Sequence, residues 1–327
     1  MSRVALVTGG AGFIGSHTCK RLSQQGIVPV VYDNLSTGHR SNVKWGPFVE
    51  GEIEDTERLA EAIRTFSPEC LIHFAASAYV GESVEDPGKY YRNNVAGSIS
   101  LLEACRATGI GHIVFSSSCA TYGVPPRLPI TEDTAQVPIN PYGRTKLMIE
   151  LMLADYARAY GIRSVSLRYF NAAGADPEGQ LTEQHDPETH LIPRALMAAA
   201  GRIDRLDIFG DDYATPDGTC IRDYIHVTDL ADAHVAAVNY LSEGGEVLHA
   251  NLGSGHGTSI REVLSAIDRV TGQRVPVQML PRRPGDPPVL FADTNWARQK
   301  LGFRPLLSDI DTIIATAAPG FGLGVRS

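Results

Sequence analysis

The first half of the chain alternates short apolar runs, rich in β-branched residues, with longer segments whose apolar positions recur at helical spacing. Residues 4–7, 28–32, 48–50, 70–74, 112–116 and 164–167 read as strands. Between them, residues 16–25, 55–65, 91–108 and 142–160 read as helices. Such alternation predicts an α/β fold, a doubly wound parallel sheet with ligands at the carboxyl ends of its strands. Beyond Arg168 the pattern changes: loops rich in Gly, Pro and Asp at 174–187, 210–218 and 281–288 separate shorter elements. The expected organisation is a dinucleotide-binding domain over 1–168 and a smaller α/β lobe for substrate over 169–327. Residues 227–241 read as a long apolar helix, so about 224–254 is expected to pack back on the first domain.

Composition narrows the classes of function. The 327 residues carry a net charge of −8, which argues against a general nucleic-acid or acidic-membrane surface. No apolar run approaches the roughly 20 residues that span a bilayer. The first strand begins so near Met1 that no leader segment is expected, and the five scattered cysteines lack any C-x-x-C. Both features point to reduced thiols in a cytoplasmic protein. His185 and His190 flank acidic residues without helical H-E-x-x-H spacing, so they read as loop residues and no metal is expected.

The first chemical signal follows the first strand. In Thr8-Gly9-Gly10-Ala11-Gly12-Phe13-Ile14-Gly15, the glycines at 9, 12 and 15 let the backbone turn sharply and approach a pyrophosphate. The helix behind them offers unpaired N–H groups to the same anion. A second strand ends at Asp33, where an acid can hydrogen-bond the adenosine ribose and repel a 2′-phosphate. NAD is therefore expected rather than NADP.

The second signal is Asn140-Pro141-Tyr142-Gly143-Arg144-Thr145-Lys146. Asn140 as cap and Pro141 at the first helical position place Tyr142 in the first turn. Lys146, four residues on, is its neighbour on the helix face. A phenol with an ordinary pKa of about 10 is a poor base, and an adjacent cation favours its phenolate. Ser118 ends the strand before this helix and could relay a hydroxyl proton to Tyr142. Hydride transfer at a secondary alcohol is the coherent chemistry. Two arginine runs in the second lobe, Thr219–Tyr224 and Pro281–Asp286, suit a nucleotide diphosphate.

These stretches together resemble the extended short-chain dehydrogenase/reductase superfamily and, within it, the UDP-galactose (UDP-glucose) 4-epimerases. The similarity also runs through His73–Ala76, Val80–Val84, Tyr90–Asn94, Ser116–Gly123, Arg168–Asn171 and Gly218–Val227. Segments around Ser118–Gly123 and Asp217–Val227 are similar as well to the UDP-arabinose (UDP-xylose) 4-epimerases. The resemblance implies NAD oxidation of sugar C4, rotation of the 4-keto sugar and re-reduction on its other face. It implies Tyr142 as base, Ser118 as its hydroxyl partner and Lys146 as the cation.

On the cofactor side it implies Gly9, Gly12, Phe13, Ile14 and Gly15 around the pyrophosphate. Asp33, Asn34, Ser36 and Gly38 fall at the ribose, with Glu52 and Ile53 near the adenine. Phe74, Ala75, Ala76, Asn94, Ser116 and Tyr169 complete that side, with Tyr142 and Lys146. For the UDP-sugar it implies Asn171, His190, Leu191, Phe209, Arg222, Tyr224, Arg283 and Asp286, with Ser118 and Tyr142 at the sugar. Leu290 takes the place of a gate beside sugar C2 and leaves N-acetylated sugars open as substrates. Ala78 stands where many relatives have a lysine. A homodimer through the 91–108 and 142–160 helices is implied too. Dehydratases of the same superfamily carry an Asp-Glu pair where this chain has Ser118-Cys119, which argues against water elimination. A non-catalytic NAD-binding regulator is the alternative from another class.

Overall fold

The computed structural model describes residues 3–283 and 287–326. Its centre is a seven-stranded parallel sheet. Six strands come from the first half: β1 (Arg3–Thr8), β2 (Ile27–Asp33), β3 (Phe48–Glu50), β4 (Cys70–His73), β5 (His112–Ser116) and β6 (Arg163–Tyr169). The seventh, Leu248–Leu252, pairs with β6 at one edge, and the order from there is β6-β5-β4-β1-β2-β3. Helices cover both faces, so the strands are apolar on both sides. Ala5, Val7, Val31, Ile72 and Val114 pack into one layer of core, and Leu6, Val30, Leu71, Ile113 and Phe115 into the other.

The chain runs outward in opposite directions from β1, with β2 on one side and β4 on the other. A crevice at the carboxyl ends is the geometric result, and ligands of open α/β sheets bind at such a reversal. Helix Val227–Ser242 packs against helix Phe13–Gln24 on the sheet. A separate core of Ile192, Leu196, Ile208, Val263, Ile267 and Ile314 organises the second lobe. Its strands are short: Leu206–Phe209 pairs with Val277–Leu280, and Ile221–Arg222 lies between Thr258–Ser259 and Val289–Leu290.

Three local features differ from the sequence reading. The helix expected over 91–108 is a π-type segment, Tyr91–Ala96, followed by an α-helix, Gly97–Thr108. The wider turn carries Asn94, whose amide ties two elements together (below). Short helices Val80–Glu85 and Pro87–Tyr90 precede it, the second capped by Asp86 on the Lys89 N–H at 3.1 Å. Strand Leu248–Leu252 escapes notice because Leu-His-Ala-Asn-Leu interrupts the apolar run that a buried strand normally shows.

Candidate active site

The glycine loop is shaped by close backbone approaches. Gly9 sits at φ +73°, and a Cβ there would lie 2.6 Å from the Ala75 nitrogen. A Cβ on Gly15 would lie 2.3 Å from the Gly9 carbonyl oxygen. Both positions are thus closed to any side chain, and the loop leaves the start of helix Phe13–Gln24 bare. No side chain caps that helix at Gly12, so its first N–H groups remain for an anion. Phe74 and Ala75 donate their N–H groups to the Thr8 carbonyl at 2.9 and 3.1 Å, closing the crevice floor between β1 and β4. These features fit a dinucleotide pyrophosphate.

Asp33 ends β2, buried. Its carboxylate accepts from the Ala11 N–H at 2.9 Å and the Leu35 N–H at 2.8 Å, which ties the glycine loop to the ribose side. Burial raises its pKa, opposed by those two hydrogen bonds. Asn34 donates to Glu52 at 2.8 Å and accepts from the Ser36 N–H at 3.0 Å, while Gly38 lies against Asp33. The Ile53 side chain turns away into the core, against Gly97. Asn94 is also buried: it accepts from the Ser77 N–H at 2.8 Å and donates to the Ser77 carbonyl and Thr145 hydroxyl. Its amide links the Ala76–Ala78 loop to the helix of Tyr142.

That helix, Pro141–Tyr160, is capped by Asn140, which accepts the Gly143 N–H at 2.8 Å. Ser118, two residues beyond β5, caps a short turn, Cys119–Tyr122, accepting the Ala120 N–H at 3.1 Å. Lys146 is buried, with Nζ donating to the Ser116 carbonyl at 2.8 Å and lying 5.7 Å from the Tyr142 ring centre. Ser116 and Tyr169 share a 2.5 Å hydroxyl contact beneath it. Tyr142 departs from the sequence expectation. Burial pushes its pKa up to about 12, against the pull of the Ser118 hydrogen bond. Lys146 gives way too: burial pulls it down to about 7, and the Glu150 carboxylate resists. Half-buried Tyr142 and buried Lys146, with opposite charged forms, are each moved toward neutrality by desolvation.

In the second lobe, Asn171 donates to the Asp223 carbonyl at 3.1 Å. The Arg283 guanidinium stacks 3.8 Å over the Phe209 ring. Arg222 occupies its short strand and donates to the Ile221 carbonyl at 2.8 Å. Leu290 packs with Cys119 and Tyr122, beside the turn that follows Ser118. Tyr224 is buried, its side chain within the second core. His190 and Leu191 lie at the start of helix Leu191–Ala199. Asp286 lies outside the described residues. His185 and His190, read as loop residues, place Nδ1 2.8 to 3.4 Å from the Glu183 and Glu188 carboxylates, and the four ligand-type atoms lie within 4.8 Å of one another.

Sequence reasoning missed Glu150 and Arg168. The buried Glu150 carboxylate accepts Arg168 Nε at 3.0 Å, Arg168 Nη2 at 2.6 Å and the Ser117 hydroxyl at 2.5 Å. The available signal was Glu150 at eight residues from Tyr142, on the same helix face as Lys146, with Arg168 near the carboxyl end of a buried strand.

The sequence profile of the NAD dependent epimerase/dehydratase family matches residues 5–253. A UDP-glucose 4-epimerase of Rhizobium leguminosarum bv. trifolii is 54% identical over 312 residues, 95% of each chain. The UDP-glucose 4-epimerase of Brucella ovis, solved in complex with NAD, superposes with a TM-score of 0.98 at 68% identity, covering 99% of this chain and 100% of that one. An epimerase of Stenotrophomonas maltophila, solved with NAD and formylated UDP-arabinopyranose, gives 0.95 at 39% identity, covering 98% of each chain. The chain belongs to the NAD dependent epimerase/dehydratase family.

Proposed function

We propose that the chain interconverts UDP-galactose and UDP-glucose by reversible oxidation at sugar C4. The observation that carries this reading is the joining of Tyr142, Lys146 and the Ser118 turn to a glycine-loop crevice, in a chain 54% identical to a UDP-glucose 4-epimerase. NAD, when bound, supplies the reversible acceptor for the C4 hydride. Gly9, Gly12, Gly15 and the bare helix start would hold its pyrophosphate, and Asp33 and Asn34 its ribose.

Tyr142 takes the proton of the C4 hydroxyl and returns it after the 4-keto sugar has turned over. Ser118 bridges the sugar hydroxyl and the phenol, consistent with its pull on the Tyr142 pKa. A phenol at about 12 is protonated at neutral pH, so its phenolate needs a cation at hand. Lys146 is the cation placed to supply it. Asn171, Arg222 and Arg283 hold the UDP portion, Arg283 with its guanidinium plane set by Phe209. Leu290 borders the sugar beside the Ser118 turn.

Two copies pair through helices Gly97–Thr108 and Pro141–Tyr160. Ile99, Met148, Leu151 and Tyr160 are exposed on them, a cost that a second copy would remove. The cofactor unit comprises 1–168 together with about 224–254, and the setting is cytoplasmic galactose metabolism.

Proton NMR of the purified protein with UDP-galactose and no added cofactor tests the reading. Conversion to UDP-glucose, equally with or without added NAD, is expected. If neither that sugar nor UDP-arabinopyranose nor UDP-N-acetylgalactosamine changes, even with NAD added, the regulator reading replaces it.

A further inference from the structure

Three side chains descend the buried face of helix Pro141–Tyr160 at intervals of four: Tyr142, Lys146 and Glu150. The first two belong to the proposed proton transfer; the third touches neither crevice nor solvent. Glu150 is nevertheless the hub of a buried polar network. Arg168 on β6 grips its carboxylate with two N–H groups, at 3.0 and 2.6 Å, and Gln136 donates to it at 3.0 Å. Ser117 donates to it at 2.5 Å. Arg168 Nη1 donates in turn to the Tyr122 hydroxyl at 2.7 Å, and that hydroxyl donates to Asn251 at 2.7 Å. Asn251 is anchored by the Ile130 carbonyl at 3.0 Å and the Glu132 carboxylate at 2.8 Å.

Ser118 stands between the two ends of this network. Glu150 fixes the residue before it, and Arg168 fixes Tyr122, which closes the turn after it. Desolvating an ion pair costs several kcal/mol per ion, and apolar replacements of similar volume are often neutral or stabilising. Stability alone is thus a weak reason for such a pair here.

We propose that the Glu150–Arg168 pair is a positioning device for the reaction, fixing the turn that carries Ser118 and counterbalancing the charge on Lys146. This rests on the epimerase reading for its catalytic consequence. The groups facing Lys146 are Tyr142 and Glu150 on its own helix, the Ser116 carbonyl and Phe115 ring on β5, and His73 on β4. Burial holds His73 neutral at pH 7, so Glu150 is the group among them that raises the pKa of Lys146. Glu150 itself faces Arg168, Ser117, Gln136 and, at 3.7 Å, His249. Burial pushes its pKa up, but the Arg168 bonds outweigh that and keep it ionised.

The test uses the full chain with its bound cofactor. There are five lysines, so ¹³C-lysine labelling gives a Lys146 Cε signal that Lys146→Met identifies. In Glu150→Gln the Lys146 titration moves down by about one pH unit. Turnover of UDP-galactose falls about tenfold or more in kcat with KM nearly constant, because positioning rather than binding is lost. The high-pH limb of kcat shifts down with Lys146. Ser117→Ala lowers kcat without moving the titration, and Arg168→Lys, which keeps one hydrogen-bonded cation, retains more activity than Arg168→Met. An unmoved Lys146 titration, or Glu150→Gln turning over like the parent, overturns the proposal. If the parent protein turns nothing over, the epimerase reading fails, while the titration still decides whether Glu150 governs Lys146.

Discussion

The two sides of the crevice are built by opposite means. On the cofactor side, polar groups are buried and tethered to backbone: Asp33 by Ala11 and Leu35, Asn94 by Ser77, Lys146 by Ser116. On the substrate side, the groups that would recognise the nucleotide stand on two-residue strands and loops, as with Arg222, Leu290 and Arg283. One side is fixed by its own hydrogen bonds before any ligand arrives. The other is assembled from short pieces around its own small core, which suits a sugar that must enter, turn over and leave.

The largest test of this contrast is Tyr142→Phe. It removes the proposed proton acceptor and nothing that shapes the glycine loop, so turnover is expected to drop by about 10²–10⁴. NAD bound per chain, read by absorbance after denaturation, stays at the parent level. Loss of cofactor together with activity would mean the fixed side depends on the phenol itself.

The next test is pH. Burial lowers His17 to about 4, His73 to about 3 and His234 to about 4, on helix Phe13–Gln24, on β4 and on helix Val227–Ser242 around the central sheet. Their unfolded values are near 6.5. Below that pH the unfolded chain binds more protons, so stability falls with acid from about pH 6.5 toward 4. Each histidine contributes up to about 1.4 kcal/mol per pH unit to that slope. His185, in the loop before helix Leu191–Ala199, has the reverse sign: burial lowers it, but Glu183 and Glu188 outweigh this and raise it to about 9. Its contribution is full below pH 6.5 and is lost as pH rises through 9. Urea unfolding followed across pH 4–10 should show both losses, and a flat acid limb would contradict the neutral burial of the three histidines.

Asp33→Ala comes next. It strips an acceptor from two N–H groups, costing about 1–3 kcal/mol for each one left unpaired. NAD affinity falls, and NADP binding improves relative to it. An unchanged preference in a titration would move the nicotinamide choice elsewhere. The smallest effect is expected from Leu290→Tyr, on the loosely built side. UDP-N-acetylglucosamine turnover should fall about tenfold more than UDP-glucose turnover, since a pocket of changed volume discriminates by about 1–3 kcal/mol. Equal losses would remove Leu290 as a gate.

The same contrast explains what could be read from the chain alone. The sheet strands, the glycine loop, Asp33 and the Tyr142–Lys146 spacing are local patterns, each carried by a few consecutive residues. Asn94, by contrast, was placed by resemblance and not by a local pattern, since it works through Ser77 and Thr145, partners 17 and 51 residues away. Glu150 and Arg168 meet only once a helix and a strand have packed. Tyr142 shows the limit most sharply: spacing gave it a cationic neighbour, but desolvation raises the phenol and lowers Lys146 in the free chain. Strand Leu248–Leu252 was hidden because His249 and Asn251 interrupt its apolar run, and only its pairing with β6 reveals it as an edge of the sheet.

The measurement that bears most directly on the central claim is epimerisation of UDP-galactose in D₂O, followed by proton NMR. If the C4 hydrogen leaves as hydride and returns from within the site, UDP-glucose forms with C4 still protiated. Deuterium at C4 would show that the hydrogen leaves as a proton, and would contradict the account.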